Sequence, residues 1–156
     1  NLKEVYFGEA NLFFANLSGA NLIRAKLNNA ILLNANFNSA NLFNANLNES
    51  DLRGSDLSSA NLRNANLRGS DLRGSDLSGA NLRYANLRGS DLSSANLRNA
   101  NLRGSDLRGS ILSNTDLSNA YLESAKLKNI KAFNLIGCPH SLPKKWICEN
   151  NSIIEK

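Results

Sequence analysis

The chain has 156 residues, enough for one domain with a core and not for two, and its formal charge of +5 sets 18 Lys and Arg against 13 Asp and Glu. That mild basic excess favours attraction to anionic surfaces and does not by itself indicate nucleic acid. No stretch approaches the roughly 18 apolar residues of a membrane-spanning helix, and no secretory apolar core is present. The chain contains no Met, so it reads as a processed or excised segment, and the lack of a leader carries no information on compartment.

From Leu2 to Leu127 every fifth residue is Leu or Phe. Two positions before each stands a small residue, mostly Ala (Ala10, Ala60) or Ser (Ser50, Ser70), and Asn or Asp usually comes between them. A helix does not fit: five residues advance about 500°, so successive leucines would spiral around the axis. A straight strand fails as well, because five is odd and each Leu would face opposite its predecessor. Within one block the small residue and the Leu are two apart and share a direction. A path that turns once per block and keeps that pair inside is a solenoid, with coils stacked about 4.8 Å apart.

Blocks such as AlaAsnLeuArgAsn (60–64) and SerAspLeuArgGly (70–74) resemble the A(D/N)Lxx signature of pentapeptide repeat proteins, and the likeness covers residues 1–130. It implies an all-β fold, a right-handed quadrilateral parallel β-helix of twenty residues per coil. The twenty-six blocks then make about six and a half coils, roughly 31 Å of stack, followed by a C-terminal cap segment over 131–156. The sequence alone does not show four sides, because its strongest self-match lies at an offset of 35. Residues 52–75 and 87–110 are the same twenty-four letters, LRGSDLSSANLRNANLRGSDLRGS. Seven blocks are one and three-quarter turns, so the copies point matching residues at neighbouring sides, as a structural brick would.

In the first coils Phe13, Phe14, Ile23, Ile31, Leu33 and Phe43 occupy places that should face solvent. Phe13, Phe14, Ile31 and Leu33 would share one side. A contiguous apolar cluster marks either a protein-contact surface, self-association at a solenoid end included, or ground covered by a preceding segment. In the middle of the rod, residues twenty apart stack. Arg63, Arg83 and Arg103 form one ladder, and Arg68, Arg88 and Arg108 a second on the next side. Asp51, Asp71 and Asp91 form a column on the third side, and Asp56, Asp76 and Asp116 on the fourth. The rod is therefore expected to be basic on two sides and acidic on two. The Arg ladders read either as a solubilising surface or as a dock for an anionic partner. Between residues 50 and 107 each Asp before a Leu follows Ser and each Asn follows Ala, which hydrogen bonding of the buried hydroxyl and descent from two ancestral blocks explain equally well.

After Leu127 the period decays, with Ile130 and Ala132 in a last degenerate block. Residues 137–148 hold both prolines and the only Trp, and Phe133, Leu135, Ile136, Leu142, Trp146 and Ile147 are available to cover the last coil. Cys138 and Cys148 admit three readings: a disulfide, two buried thiols, or a metal site with His140 that lacks a local fourth ligand.

An enzyme is not indicated. His140 is the sole His, and no nucleophile elbow, phosphate loop or dinucleotide turn is present. No cofactor or metal is implied. A rigid rod of standard coils with distinctive ends suits a structural or protein-interaction module with an unidentified partner. The resemblance supplies an alternative, a DNA-mimic inhibitor or protector of a type II topoisomerase. Those relatives are similar in carrying many inward Phe and an acidic surface, whereas inward Phe here stands only at Phe7 and Phe37. Nucleic acid is a poor fit, since only Tyr84 is an outward aromatic in the Arg-rich region. Paired Cys in a capped end also resembles exported bacterial members of the family, which leaves the compartment open and favours a periplasm, a lumen or secretion over the cytoplasm.

Overall fold

In the computed structural model, which describes residues 1–156, single parallel bridges join residues twenty apart all along the chain, from Tyr6–Lys26 and Asn11–Ile31 to Asn101–Tyr121 and Asp106–Lys126. Twenty residues per turn at one bridge per block of five gives four sides, and the fold is a right-handed quadrilateral parallel β-helix. We number the sides by their inward leucines: side 1 carries Leu22, Leu42 and Leu62, side 2 Leu27, Leu47 and Leu67, side 3 Leu32, Leu52 and Leu72, and side 4 Phe37, Leu57 and Leu77.

One block shows why a period of five works. The N–H of Ser55 returns to the carbonyl of Leu52 at 3.1 Å, closing a turn, and the third turn residue, Gly54, has φ +63°. A left-handed residue there is what a type II turn requires. The same left-handed φ recurs at every block corner, most often on Gly or Asn, the residues that tolerate it best. This single reversal per block undoes the odd-number mismatch and aims the next Leu inward again. Between coils, Leu52 N–H bonds Asp71 O at 2.7 Å, Gly54 N–H bonds Arg73 O at 3.0 Å, and Asp71 N–H bonds Ser50 O at 3.0 Å. The backbone is thereby satisfied without long strands.

Inside, leucines from Leu22 to Leu117 and the alanines beside them form one continuous buried cluster. Ser stands in for Ala at a low cost because its hydroxyl donates to the turn carbonyl three residues back, Ser50 to Leu47 and Ser70 to Leu67, each at 2.7 Å. Outside, the Asn or Asp before the Leu accepts the N–H two residues on, as Asp51 does from Arg53 and Asn61 from Arg63. That local bond explains the preference for those two residue types.

Pairing continues past the end of the sequence period, through Ile111–Lys131, Asp116–Gly137 and Tyr121–Ser141. The second of these spans 21 residues, so one residue is inserted. Gly137 suits the close pass there, since a Cβ would lie 2.1 Å from Ser118 Oγ and 3.1 Å from its Cβ, and Ser118 would have to shift. Strands β1 (Trp146–Glu149) and β2 (Ser152–Glu155) form an antiparallel hairpin, with Cys148 opposite Ile153. Leu142, Trp146, Cys148 and Ile153 close the end of the core together with Leu135. Phe133 and Ile136, also expected to cover it, are exposed instead. Phe133 falls on the outward place after Ala132, and Ile136 stands beside the inserted residue. At the other end Leu2, Phe7, Leu12 and Leu17 point inward and are only half-buried. No helix of the structure is long and apolar enough to cross a membrane.

Candidate functional site: the charged exterior and the two ends

On side 3 Asp51 and Asp71 each stand two residues before an Arg on the same outward face, whereas Asp91 stands before Ser93 and is approached by Arg73 at 3.9 Å. Arg53 Nε and Nη2 donate to both oxygens of Asp51 at 2.8 and 2.6 Å, and Arg73 grips Asp71 with the same distances. Arg53 also approaches Asp71 of the next coil at 3.7 Å, so the column is an ion-pair zipper rather than an acidic strip. Arg108 holds Asp106 on side 2 in the same bidentate manner. Hydrogen bonds from these guanidinium groups, chiefly, hold the carboxyls of Asp51, Asp71 and Asp106 below the usual aspartate range against the opposing effect of burial. The expected acidic third side is therefore corrected: Arg53 and Arg73, outside the ladders named from sequence, neutralise it. Side 4 keeps Asp56 and Asp76 without a cation, while Arg98 reaches Asp116 at 3.4 Å. Burial pushes the Asp116 carboxyl up, but bonds from Ser118 and Arg98 leave it lowered on balance.

The two Arg ladders divide by the residue two places earlier. Where that residue is Asn it offers an amide, and several of these amides bond one another along a column, as Asn66 Nδ2 does to Asn46 Oδ1 at 3.0 Å and Asn61 Nδ2 to Asn41 Oδ1 at 3.1 Å. The Arg is then left without a local carboxylate. Arg63 and Arg83 on side 1 and Arg68 and Arg88 on side 2 make no ion pair. Arg103 reaches Glu123 at 2.9 Å and lies 4.3 Å from the Tyr121 ring. The four unpaired arginines form a two-by-two patch over two coils. Tyr84 lies beside it, exposed, with its ring 5.4 Å from Arg83 Cζ and folded over Gly104. The duplicated segment makes the same point: Arg53 follows Asp51 and is locked, whereas its copy Arg88 follows Asn86 and is free.

At the N-terminal end Phe13, Phe14 and Ile31 are exposed on side 3 and Leu33 is half-buried beside them. The two phenylalanine rings meet edge to face with centroids 4.2 Å apart. Ile23 and Phe43 stand on side 1, away from this cluster. At the C-terminal end Cys138 and Cys148 form a disulfide, with Cα atoms 5.9 Å apart, so neither sulfur is a free thiol or a metal ligand. His140 packs against Tyr121 instead, ring centroids 4.9 Å apart. No group of three or more His, Cys, Asp or Glu is placed to hold a metal ion.

Two surface clefts lie on side 2. One, of about 280 Å³, is lined by Arg88, Arg108, Gly109, Lys128 and Asn129 without an apolar residue. The other, of about 550 Å³, lies between the last coil and the hairpin and is lined by Arg108, Ala125, Lys126, Leu127, Lys128, Trp146 and Glu155. Sequence reasoning did not find either one.

A family model described as Pentapeptide repeats matches in eight copies within residues 1–129. Among curated proteins none matches. Among solved structures the chain is similar to HetL, a pentapeptide repeat protein involved in heterocyst differentiation regulation from the cyanobacterium Nostoc sp. strain PCC 7120. The identity is 25%, over 86% of this chain and 88% of that one, with a TM-score of 0.50. QnrB1, a plasmid-mediated fluoroquinolone resistance protein, is 19% identical over 86% and 85% of the two chains, with a TM-score of 0.49. A pentapeptide repeat protein of the Arabidopsis thaliana thylakoid lumen is 34% identical over 51% and 59%, with a TM-score of 0.33. With the coil geometry and the matched repeats in agreement, the chain belongs to the pentapeptide repeat family.

Proposed function

We propose that the chain is a non-enzymatic interaction rod that docks an anionic protein partner through Arg63, Arg68, Arg83 and Arg88. One observation carries this reading. The interior is closed by leucine layers, so recognition belongs to the exterior, and there these four cations are left uncompensated while Arg53, Arg73 and Arg108 are locked. A rigid frame holds the four in fixed register, which reduces the ordering cost of binding. Mimicry of duplex DNA toward a type II topoisomerase is the alternative. It calls for rows of free carboxylates, and the holding of Asp51, Asp71 and Asp106 by arginine favours the first reading. The disulfide suits an oxidising compartment, and we place the rod there, outside the cytoplasm.

Affinity capture on the immobilised rod, from the cells that make it, tests the proposal. At least one protein should be retained in stoichiometric amount and released both by excess free rod and by added salt. Retention of nothing that free rod can displace would overturn it.

A further inference from the structure

The parallel ladder ends unevenly. On sides 1 and 4 the ladder runs on to Ser141 and Gly137, but on sides 2 and 3 it stops at Lys126 and Lys131, with no parallel bridge beyond either. The hairpin passes over side 3 instead, where Ile153 N–H bonds Ala132 O at 3.0 Å. Residues 125–129 are thus left as an open edge, and the Ala125 carbonyl and the Leu127 and Asn129 N–H groups make no hydrogen bond. Leu127 is only 2% exposed, so its N–H, like that of Leu117 beside the inserted residue, is a donor without a partner in a mostly covered place, which proteins rarely leave unsatisfied.

The edge specifies its occupant by the way the coil beneath is used. There Ser105 O accepts from Lys126 N–H, Leu107 N–H donates to Lys126 O, and Gly109 N–H donates to Lys128 O. A three-residue extended segment laid parallel on 125–129 would repeat all three bonds. Its first side chain would stack on Lys126 and its third on Lys128, while the second would point inward against Leu127 and Trp146. Both flanking positions face ammonium groups, with Arg108 beside them in the same cleft. We propose that this cleft binds an extended acidic polypeptide segment of the pattern acidic–apolar–acidic by adding it as one more β-bridge to side 2. The neighbouring basic cleft shares Arg108 and Lys128, so further carboxylates of the segment reach Arg88. Glu155, on the hairpin wall, is the one carboxylate lining the cleft and opposes the ligand. The inference rests on the interaction-rod reading and names a second contact for it.

The test uses the whole chain and fluorescein-labelled twelve-residue peptides carrying Glu-Leu-Asp between Gly and Ser. Anisotropy reports binding, and Trp146, the only Trp, reports the cleft. Binding should be saturable and change Trp146 emission. It should weaken at least about tenfold in Lys126→Glu/Lys128→Glu, stay unchanged in Arg63→Glu, and strengthen in Glu155→Gln. A peptide N-methylated at its Glu, which cannot donate to Ala125 O, should lose most of the affinity; equal affinity would reduce the site to bare charge attraction and overturn the strand addition. Overturning results are also no Trp146 change at millimolar peptide, equal binding of a Lys-Leu-Lys peptide, or tighter binding of a twelve-residue oligothymidylate. Capture of a partner that Lys126→Glu/Lys128→Glu leaves intact would sink this inference and spare the Arg-patch reading.

Discussion

Replacing Gly104 by Ala separates two costs that the corners impose. Gly104 has φ +69°, and a Cβ there would lie 2.6 Å from Tyr84 Cε1 and 2.7 Å from Cδ1. Gly74 has φ +65° and open space around the same position. Holding an Ala in the left-handed region costs ~1–2 kcal/mol, and that is all Gly74→Ala should show. In Gly104→Ala the Tyr84 ring must also swing aside and give up its place near Arg83, adding ~0.5–1 kcal/mol for an exposed cation–π contact. In a Tyr84→Ala background the second part vanishes, and Gly104→Ala should cost the same as Gly74→Ala. Urea unfolding midpoints at constant m-value measure the parent and the four variants. A Gly74→Ala chain as stable as the parent would refute the requirement for a left-handed corner. Equal costs for Gly104→Ala with and without Tyr84 would refute the contact.

Three further outcomes follow from the same geometry. The lowered carboxyls of Asp51, Asp71 and Asp106 contribute stability that is present above the ordinary aspartate pKa near ~4 and lost as pH falls through their lower folded values. Thermal midpoints below pH 4 should therefore fall less steeply in the triple Asp→Asn chain, and an unchanged slope would contradict the pairing. Opening the Cys138–Cys148 disulfide, whose sequence separation is 10, should cost ~2.8 kcal/mol on the loop-entropy estimate. Hydrogen exchange should then rise first at Ile153 and Leu135. Leu72→Ala should cost ~3–5 kcal/mol, whereas Ser70→Ala should stay within ~1 kcal/mol, because the Leu67 carbonyl keeps its bond from the residue 70 N–H at 3.1 Å. Comparable losses for the two would argue against leucine layers as the source of stability.

The coil was legible because the inward Leu and its small neighbour recur without a gap, and that periodicity is itself the packing rule. Its four sides were not, since the longest self-match, at 35, crosses sides and hides the twenty-residue stacking. The left-handed corner was visible as Gly and Asn at every fifth place, yet Glu4, Phe14 and Tyr84 occupy it too and blur the signal. The division of the arginines had a plain signal that column arithmetic passed over: AspLeuArg puts acid and base two apart on one outward face, and AsnLeuArg does not. The open edge at 125–129 could not be read at all. It depends on which side the hairpin covers, and that follows from an inserted residue at Gly137 and from the contacts of Ile153, neither of which has a periodic trace.

The central claim is that position, and not net charge, makes the Arg patch the interaction surface. Converting Asn61, Asn66, Asn81 and Asn86 to Asp should lock Arg63, Arg68, Arg83 and Arg88 as Asp51 locks Arg53. A control chain with Asn16, Asn36, Asn44 and Asn114 converted to Asp carries the same net charge. Binding to immobilised poly-L-glutamate at physiological salt should fall at least about tenfold in the first chain and clearly less in the control. Equal losses in the two chains, or none in the first, would contradict the account.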